Sequence, residues 1–321
     1  MGNEQSTETK SRHSKLPKGT SHVVKMIPAP GMHIHGYFLE RLIANTDNSL
    51  NFECTYDTHH NSHNNNDAHR SHPNISDDDK IVASDYSSAC KYVIKFIRMF
   101  ENKKEMIREE LYFMQQTNHS HIIECVDIFE YGPFMCVVTP FAIGGTLLDH
   151  INHKFSEETI KKIMLQLFDA IVYLHAQKIA HRDIKLNNIY IRNGNIDNPD
   201  IELADFGCAT KIEGNYIAND GIVGTPVFVA PEIYEGKLYN ERVDMWSLGV
   251  VMYALMTNQP PFPSCDINYM KVVVVKKPIE YPEHLFDRFS DEAKNLLRHL
   301  LSKDPTKRLT CKEALNHRWF S

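Results

Sequence analysis

The chain has 321 residues, of which 42% are hydrophobic and 24% charged, and its formal net charge is −6. These values are typical of a globular protein large enough for one sizeable domain or two lobes, each with its own core. The acidic balance gives no general affinity for nucleic acid, so we expect no nucleic-acid partner. No apolar run approaches the ~20 residues that span a bilayer, and no apolar segment follows the N-terminus as in a secretory signal.

The seven cysteines are scattered along the chain and never form a C-x-x-C pair. This spacing argues against a zinc site and against a disulfide framework, and it favours a reducing compartment. We therefore predict a cytoplasmic protein.

Residues 1–30 are polar and close with Pro28 and Pro30, which predicts a disordered arm. The arm begins Met-Gly-Asn-Glu-Gln-Ser, a pattern for N-myristoylation with Gly2 as the acceptor. One acyl chain binds a membrane weakly, and the basic residues between positions 10 and 25 would add attraction to anionic lipids. The pattern predicts peripheral membrane contact; the alternative is a flexible polar tail whose second residue is glycine by coincidence.

Apolar and polar residues alternate loosely from Tyr37 to Tyr56, which indicates a pair of strands. Residues 57–80 form a low-complexity insert rich in histidine and asparagine. Such a segment buries too little apolar surface to offset the entropy of ordering it, so we predict a solvated loop. A metal site built from the histidines is the alternative, but no acidic or cysteine partner falls at the spacing of metal ligands.

Lys91 to Ile97 is a short apolar run with one embedded lysine, Lys95, and it indicates a strand. Residues 103–116 have helical character, with Met106, Glu110 and Met114 at four-residue steps predicted to share one face. A further strand is predicted from Cys136 to Phe141, before a Gly-Gly pair.

The later part of the chain is mostly helical. Ser156 is the predicted N-cap of a helix that reaches Leu174, and further helices are predicted from about Val243 to Met256 and from Asp291 to Leu301. A strand-rich first part and a helix-rich second part indicate an α+β chain with two lobes and a cleft between them.

Three motifs follow the first long helix: His-Arg-Asp at 181–183 with Asn188, Asp-Phe-Gly at 205–207, and Ala-Pro-Glu at 230–232. In this order and spacing they resemble the eukaryotic-type Ser/Thr protein kinase family, and the resemblance covers roughly residues 36–320. It implies a two-lobed kinase fold at 31–320, with a small β-rich N-lobe at 31–140 and a larger helical C-lobe at 145–320.

The resemblance also implies an activity: transfer of phosphate from ATP, with Mg²⁺, to Ser or Thr hydroxyls of protein substrates. Asp183 is expected to orient the substrate hydroxyl, and Asn188 and Asp205 to hold Mg²⁺. Lys185 is expected to neutralise the γ-phosphate, and a lysine two residues after Asp183 is the Ser/Thr pattern. Thr225 is expected to bond to Asp183 and Lys185.

By the same resemblance, Lys95 is expected to contact the α- and β-phosphates and to be held by Glu110, with Glu109 as the alternative. Leu42 and Leu50 are also expected among the ATP-binding residues. Val93 is expected against the adenine, and Thr139 stands at the gatekeeper position. Because Pro140 has no N–H, the adenine is expected to bond to the Pro140 carbonyl and the Ala142 amide.

The phosphate loop departs from the family pattern, because Ile43, Asn45 and Asn48 occupy its three glycine positions. Glycine permits positive φ and close backbone approach to phosphate, so we predict weak ATP affinity or altered loop geometry. This departure leaves an alternative function open, that of a pseudokinase scaffold that binds partners with little catalysis. A lipid or small-molecule kinase is disfavoured by Gly-Thr-Pro at 224–226 and Ala-Pro-Glu at 230–232.

Other matches are expected to be structural or regulatory. Asp244 resembles the buried aspartate that holds the catalytic-loop backbone, and Glu232 is expected to pair with Arg308. Arg182 usually goes with an activation-loop phosphate in the family, and here we expect Asp220 or Glu213 to supply part of that charge.

Overall fold

A computed structural model of the chain describes residues 27–46, 48–57, 91–217, 221–263 and 266–321. The predicted acceptor Gly2, most of the predicted arm at 1–30 and the insert at 57–80 beyond Asp57 lie outside the described residues. So does Asp220.

The first part of the described chain is a six-stranded antiparallel sheet with strand order β1-β2-β3-β4-β6-β5. Its strands are β1 His33–Ile34, β2 Tyr37–Asn45, β3 Ser49–Tyr56, β4 Lys91–Arg98, β5 Asp127–Tyr131 and β6 Phe134–Pro140. The strand pair predicted at 37–56 and the strands predicted at 91–97 and 136–141 are present.

The second part is mostly helical. After α1 Lys104–Gln116, the helices are α2 Glu157–Ala176, α3 Pro231–Tyr234, α4 Arg242–Thr257, α5 Ile267–Lys276, α6 Glu283–Phe286, α7 Asp291–Leu300 and α8 Cys311–Leu315. Two small antiparallel pairs join β7 Ile179–Ala180 to β10 Thr210–Lys211, and β8 Ile189–Ile191 to β9 Ile201–Leu203. The two-lobed α+β prediction is confirmed.

The long helix α2 begins where the sequence predicts it. The Ser156 side chain accepts a hydrogen bond from the Thr159 amide and so caps the helix. One face of α2 is apolar and buried, and it forms part of the main core through Ile160, Ile163, Met164, Leu167, Phe168, Ile171 and Leu174.

The predicted helix at 103–116 is present as α1, and its buried face is formed by Ile107, Leu111 and Met114. The spacing of these three residues fits one helical face. Of the predicted series, Met114 belongs to this face, whereas Met106 is 52% exposed. Glu110 lies at the edge of the buried face, where its carboxylate reaches β4.

Two apolar clusters hold the described residues together. The larger cluster fills the helical part and includes the buried face of α1, and the smaller one covers the outer face of the sheet with Leu39, Phe52 and Phe96. None of the helices formed by the described residues is both long and apolar enough to cross a bilayer.

Candidate active site

The carboxylate of Asp183 is the centre of a dense hydrogen-bonded group. Its Oδ1 accepts from the amide and the hydroxyl of Thr225, at 2.9 Å and 2.8 Å. Its Oδ2 accepts from Lys185 Nζ at 2.7 Å and from Asn188 Nδ2 at 3.2 Å. Lys185 Nζ also donates to Thr225 Oγ1 at 3.0 Å. Three of the predicted catalytic residues, Asp183, Lys185 and Thr225, are therefore in direct contact.

This contact depends on a glycine. Gly224 has φ +93°, and a Cβ atom at this position would lie 2.4 Å from the Arg182 carbonyl oxygen. Any other residue would push the segment that carries Thr225 away from the catalytic loop. The closeness of Thr225 to Asp183 is thus built into the Gly-Thr-Pro sequence.

Asn188 and Asp205 have the chemistry of magnesium ligands. Asn188 donates through Nδ2 to the Asp183 carbonyl oxygen at 3.0 Å, which leaves its Oδ1 to accept or to coordinate. Asp205 has φ +70°, a left-handed conformation that is costly for aspartate and is typical of functional positions. Carboxylate and amide oxygens are the hard ligands that Mg²⁺ prefers.

Lys95 of β4 forms an ion pair with Glu110 of α1, with Nζ 3.2 Å from Oε1. Of the two neighbouring glutamates considered from the sequence, Glu110 is therefore the one that pairs. Burial by itself would lower the pKa of Lys95, but the charges of Glu110 and Asp205 outweigh it and raise the pKa. The lysine stays positive and lies within electrostatic reach of Asp205.

Two of the residues predicted to surround the adenine lie on neighbouring strands. Val93 of β4 lies directly opposite Thr139 of β6 and two residues from Lys95, so all three share one face of the sheet. Pro140 ends β6, and Ala142 follows it. These residues occupy the positions expected of a hinge.

Two of the residues predicted to contact ATP lie on β2 and β3. Leu50 pairs with Phe96 and packs against the outer cluster, on the face away from Lys95. Asn51 lies directly opposite Lys95 instead, because the side-chain period of two puts neighbouring residues on opposite faces. Leu42, 43% exposed, lies opposite Phe52 of the outer cluster and beside a bulge. The contact of Leu42 and Leu50 with ATP stays a prediction.

The segment that replaces the glycine loop is tied down. Thr46 and Ser49 close the turn between β2 and β3, with the Thr46 amide 2.9 Å from the Ser49 carbonyl oxygen. The carbonyl of Asn48 accepts from the Arg98 amide at 2.9 Å, and its side-chain oxygen accepts from Lys103 Nζ at 3.3 Å. Asn48 is thus held to β4 and to the residue that precedes α1, and the altered loop geometry stays a prediction.

Asp244 of α4 anchors the backbone of the catalytic loop. This carboxylate is fully buried, and it accepts from the His181 and Arg182 amides at 3.0 Å and 2.8 Å and from His175 Nε2 at 2.8 Å. Burial would raise the pKa of Asp244, but His175 and the other donors outweigh it and hold the pKa below its ordinary value. The role expected of Asp244 matches these contacts, whereas His175 was not anticipated.

Two further contacts bear on the sequence-based expectations. Glu232 and Arg308 form the expected buried pair, with Nη1 2.6 Å from Oε1. Arg182 donates to the Cys208 carbonyl at 2.7 Å and to the Tyr239 hydroxyl at 2.8 Å. Tyr239 had not been singled out from the sequence, because nothing in its local pattern indicates a partner on the catalytic loop.

Comparison with known proteins identifies the family. The family described as protein kinase domain matches residues 81–320, more than half of the chain. The chain belongs to this family, and the relatives that it matches place it in the serine/threonine class.

The relatives carry the names of Ser/Thr kinases. Calcium-dependent protein kinase 5 of Plasmodium falciparum (isolate 3D7) is 34% identical over 253 residues, which cover 75% of this chain and 44% of that protein. A probable myosin light chain kinase of Dictyostelium discoideum is 35% identical over 236 residues, 72% of this chain and 67% of that protein. Death-associated protein kinase 2 of Homo sapiens is 34% identical over 244 residues, 73% of this chain and 66% of that protein. The chain thus spans less than half of the first relative and about two thirds of the other two.

Proposed function

We propose that this chain transfers the γ-phosphate of ATP to Ser or Thr hydroxyls of protein substrates. The observation that carries the proposal is the group around Asp183, in which one carboxylate is bonded to Lys185, Thr225 and Asn188. Beside it, Lys95 is held by Glu110. Family membership supports phosphorylation of proteins, and the retained set of charged groups supports catalysis by this chain.

Asp183 receives and orients the substrate hydroxyl. Phosphoryl transfer passes through a loose transition state, so positioning and charge neutralisation supply most of the rate. Thr225 and Lys185 hold the carboxylate in one orientation, and Lys185 also brings a positive charge to the transferred phosphoryl group. Lys95, on strand β4, orients the α- and β-phosphates.

The metal-binding residues are Asn188 and Asp205, through an amide and a carboxylate oxygen. These two residues would hold Mg²⁺, which would supply positive charge to neutralise the phosphate oxygens. The donor set fits this ion, because Mg²⁺ usually takes one or two protein oxygens and keeps water and phosphate for its other positions.

The decisive experiment is Mg²⁺-dependent phosphate transfer from ATP to a peptide library, with Asp205→Asn as the control. We expect the wild type to phosphorylate Ser and Thr peptides, and the variant to lose at least a hundredfold of the rate, in the range seen when one group that stabilises transition-state charge is removed. Equal transfer by the two proteins would overturn the proposal.

The second candidate function is a pseudokinase scaffold. The hydrogen bonds that hold Thr46, Asn48 and Ser49 and the missing glycines favour it, since the backbone amides of a glycine loop would otherwise hold the phosphates. Nucleotide binding without transfer by the wild type, combined with an unchanged partner profile for Asp205→Asn, would support the scaffold over the enzyme.

We further propose a cytoplasmic protein that contacts membranes through an acylated Gly2. The motif at residues 1–6 and the basic residues that follow it support this. Incorporation of an alkyne-myristate label into the wild type and not into Gly2→Ala is the expected result. Equal labelling of both proteins would refute acylation at this site.

A further inference from the structure

The backbone of Arg182 has a strained conformation directly beside the catalytic carboxylate. Its φ is +64°, in the left-handed region that residues other than glycine rarely adopt. Such a conformation persists only where the surrounding structure holds it. The Arg182 amide donates to Asp244 at 2.8 Å, and the Arg182 carbonyl oxygen lies so close to Gly224 that a Cβ atom there would be 2.4 Å away. The orientation of the Arg182 backbone therefore affects where the Gly-Thr-Pro segment lies.

The side chain of Arg182 bonds to two other parts of the helical lobe. Its Nε donates to the Cys208 carbonyl oxygen at 2.7 Å, and its Nη1 donates to the Tyr239 hydroxyl at 2.8 Å. The guanidinium group is planar and its donors keep a fixed geometry, so these two bonds together fix its orientation. Cys208 directly follows Asp-Phe-Gly, and Tyr239 lies between α3 and α4.

Tyr239 is a well-fixed partner for this arginine. The residue is only 3% exposed. Its backbone pairs with Ile217 in an antiparallel bridge, in which the Ile217 amide donates to the Tyr239 carbonyl oxygen at 2.7 Å. Ile217 is also buried, and it lies on the segment that leads from Asp-Phe-Gly towards Gly-Thr-Pro. One residue thus holds this segment through its backbone and Arg182 through its hydroxyl.

We propose that Tyr239 is a positioning residue for phosphoryl transfer, and that its hydroxyl acts through Arg182. The inference rests on the proposed function in taking phosphoryl transfer as the reaction. Without the hydroxyl, the guanidinium group loses one of the two bonds that fix it, and the strained Arg182 backbone is held less firmly. Movement of the Arg182 carbonyl against Gly224 would then shift Thr225 away from its 2.8 Å contact with Asp183.

The second bond of the same guanidinium group affects the segment that carries Asp205. The Cys208 carbonyl lies three residues beyond Asp205, whose φ of +70° is also left-handed. A guanidinium group that turns away from the Cys208 carbonyl would leave this strained segment with one restraint fewer. The Tyr239 hydroxyl therefore supports both the loop of Asp183 and the segment that follows Asp205.

The first test compares Tyr239→Phe with the wild type, since phenylalanine keeps the buried ring and removes only the hydroxyl. Steady-state kinetics with Mg²⁺, ATP and the best peptide from the library give kcat and KM. We expect kcat to fall roughly tenfold, as for the loss of one hydrogen bond to a charged group, while KM for ATP changes by less than about twofold.

The matched control is Tyr253→Phe in α4. Tyr253 is also 3% exposed, and its hydroxyl donates to the Glu280 carbonyl oxygen at 3.0 Å, nine residues along the helix from Asp244. This variant removes a buried, bonded hydroxyl that has no contact with the catalytic loop. We expect it to keep the wild-type kcat, so a general loss of stability is separated from a positioning effect.

The second test asks whether Tyr239 acts through Arg182. Arg182→Met keeps a side chain of similar reach and removes the donor that bonds to the Tyr239 hydroxyl. Adding Tyr239→Phe to Arg182→Met should then lower kcat by less than about twofold, because the shared interaction is already lost. Losses that simply multiply would overturn the route through Arg182.

A third readout does not depend on activity. Hydrogen–deuterium exchange is measured by mass spectrometry on peptides that cover residues 208–217. We expect exchange there to be roughly threefold to tenfold faster in Tyr239→Phe than in the wild type, because local opening no longer breaks the bond to Arg182. Tyr253→Phe should exchange like the wild type in these peptides.

The outcomes separate this inference from the proposed function. The inference fails if Tyr239→Phe keeps the wild-type kcat, or if Tyr239→Phe and Tyr253→Phe show the same exchange at 208–217. A wild type that transfers no phosphate overturns the proposed function, and exchange then decides by itself whether Tyr239 holds Arg182 and the segment after Asp205.

Discussion

The carboxylate of Asp183 already has a donor on each side before any substrate arrives. Thr225 approaches Oδ1 through both its amide and its hydroxyl, and Lys185 and Asn188 approach Oδ2. A carboxylate has about four lone-pair positions, so an incoming hydroxyl must share one of the oxygens. The Thr225 hydroxyl donates to Asp183 and so connects the Gly-Thr-Pro segment to the carboxylate that receives the substrate hydroxyl.

Replacing Thr225 by valine should therefore lower kcat while the KM for ATP changes little. Valine has the same shape but removes the hydroxyl that donates to Asp183 and accepts from Lys185. We expect a loss of about tenfold, in line with one charge-assisted hydrogen bond of roughly 1.5 kcal/mol. Steady-state kinetics on a peptide substrate measure it. Thr225→Ser should retain most of the rate, and equal activity of the valine and serine variants would contradict the assignment.

A second residue-scale prediction distinguishes the two adjacent glutamates of α1. Glu110→Gln removes the charge that faces Lys95 at 3.2 Å, so Lys95 should lose its fixed orientation and kcat/KM for ATP should fall about tenfold or more. Glu109→Gln is the matched control, because Glu109 is exposed on the same helix. A larger loss for Glu109→Gln in the same assay would reverse the assignment.

At the scale of elements, α4 holds the backbone of the catalytic loop through a buried carboxylate. Asp244 lies in the first turn of this helix and accepts the His181 and Arg182 amides. The first turn of a helix favours negative charge, and the core around the residue excludes water. One side chain thereby links the core of the helical lobe to the loop that carries Asp183.

Asp244→Asn should destabilise the protein by about 3–5 kcal/mol, the cost of breaking a buried charged network by removing one partner. Chemical denaturation followed by fluorescence measures the change. Asp266→Asn makes the same chemical change at the exposed N-cap of α5, where asparagine caps equally well. We expect that control to shift the free energy of unfolding by less than about 0.5 kcal/mol. Similar shifts for the two variants would argue against a special role for Asp244.

At the scale of the whole molecule, one fully buried and two partly buried histidines make stability depend on pH. Burial lowers the pKa of His119, His181 and His317 below the ordinary value of 6.5. In His181, Nδ1 accepts from the Asp183 amide at 3.3 Å, which requires the neutral ring. Below pH 6.5 the unfolded chain therefore binds protons that the folded chain excludes.

The expected result is a melting temperature that is nearly constant from pH 8 to about pH 7 and falls as the pH drops below 6.5. Differential scanning calorimetry across this range measures it. His317→Gln should flatten the decline, because one of the three groups is removed. A melting temperature that rises on acidification through pH 6 would contradict the assignment.

In the sheet, the sequence was enough to predict the strands but not their pairing. The strands at 37–56 were predictable from their alternation, and the strand at 91–97, with Lys95, from its apolar run. The pairing was not predictable, because β2 and β3 shift register between Leu39 and Arg41 and again between Leu42 and Ala44. Each bulge adds a residue that changes which side chains face the cleft.

By itself the sequence determined the family, the two-lobed fold and the order of Asp183, Asn188 and Asp205, because these groups lie in short motifs whose chemistry tolerates few substitutions. Only the tertiary structure decided that Glu110 pairs with Lys95, that α1 buries Ile107 and exposes Met106, and that Asn51 lies opposite Lys95. These choices depend on contacts between elements distant in the chain. From the local sequence alone, several helix faces or strand registers have nearly the same free energy. Packing against the rest of the molecule selects one of them.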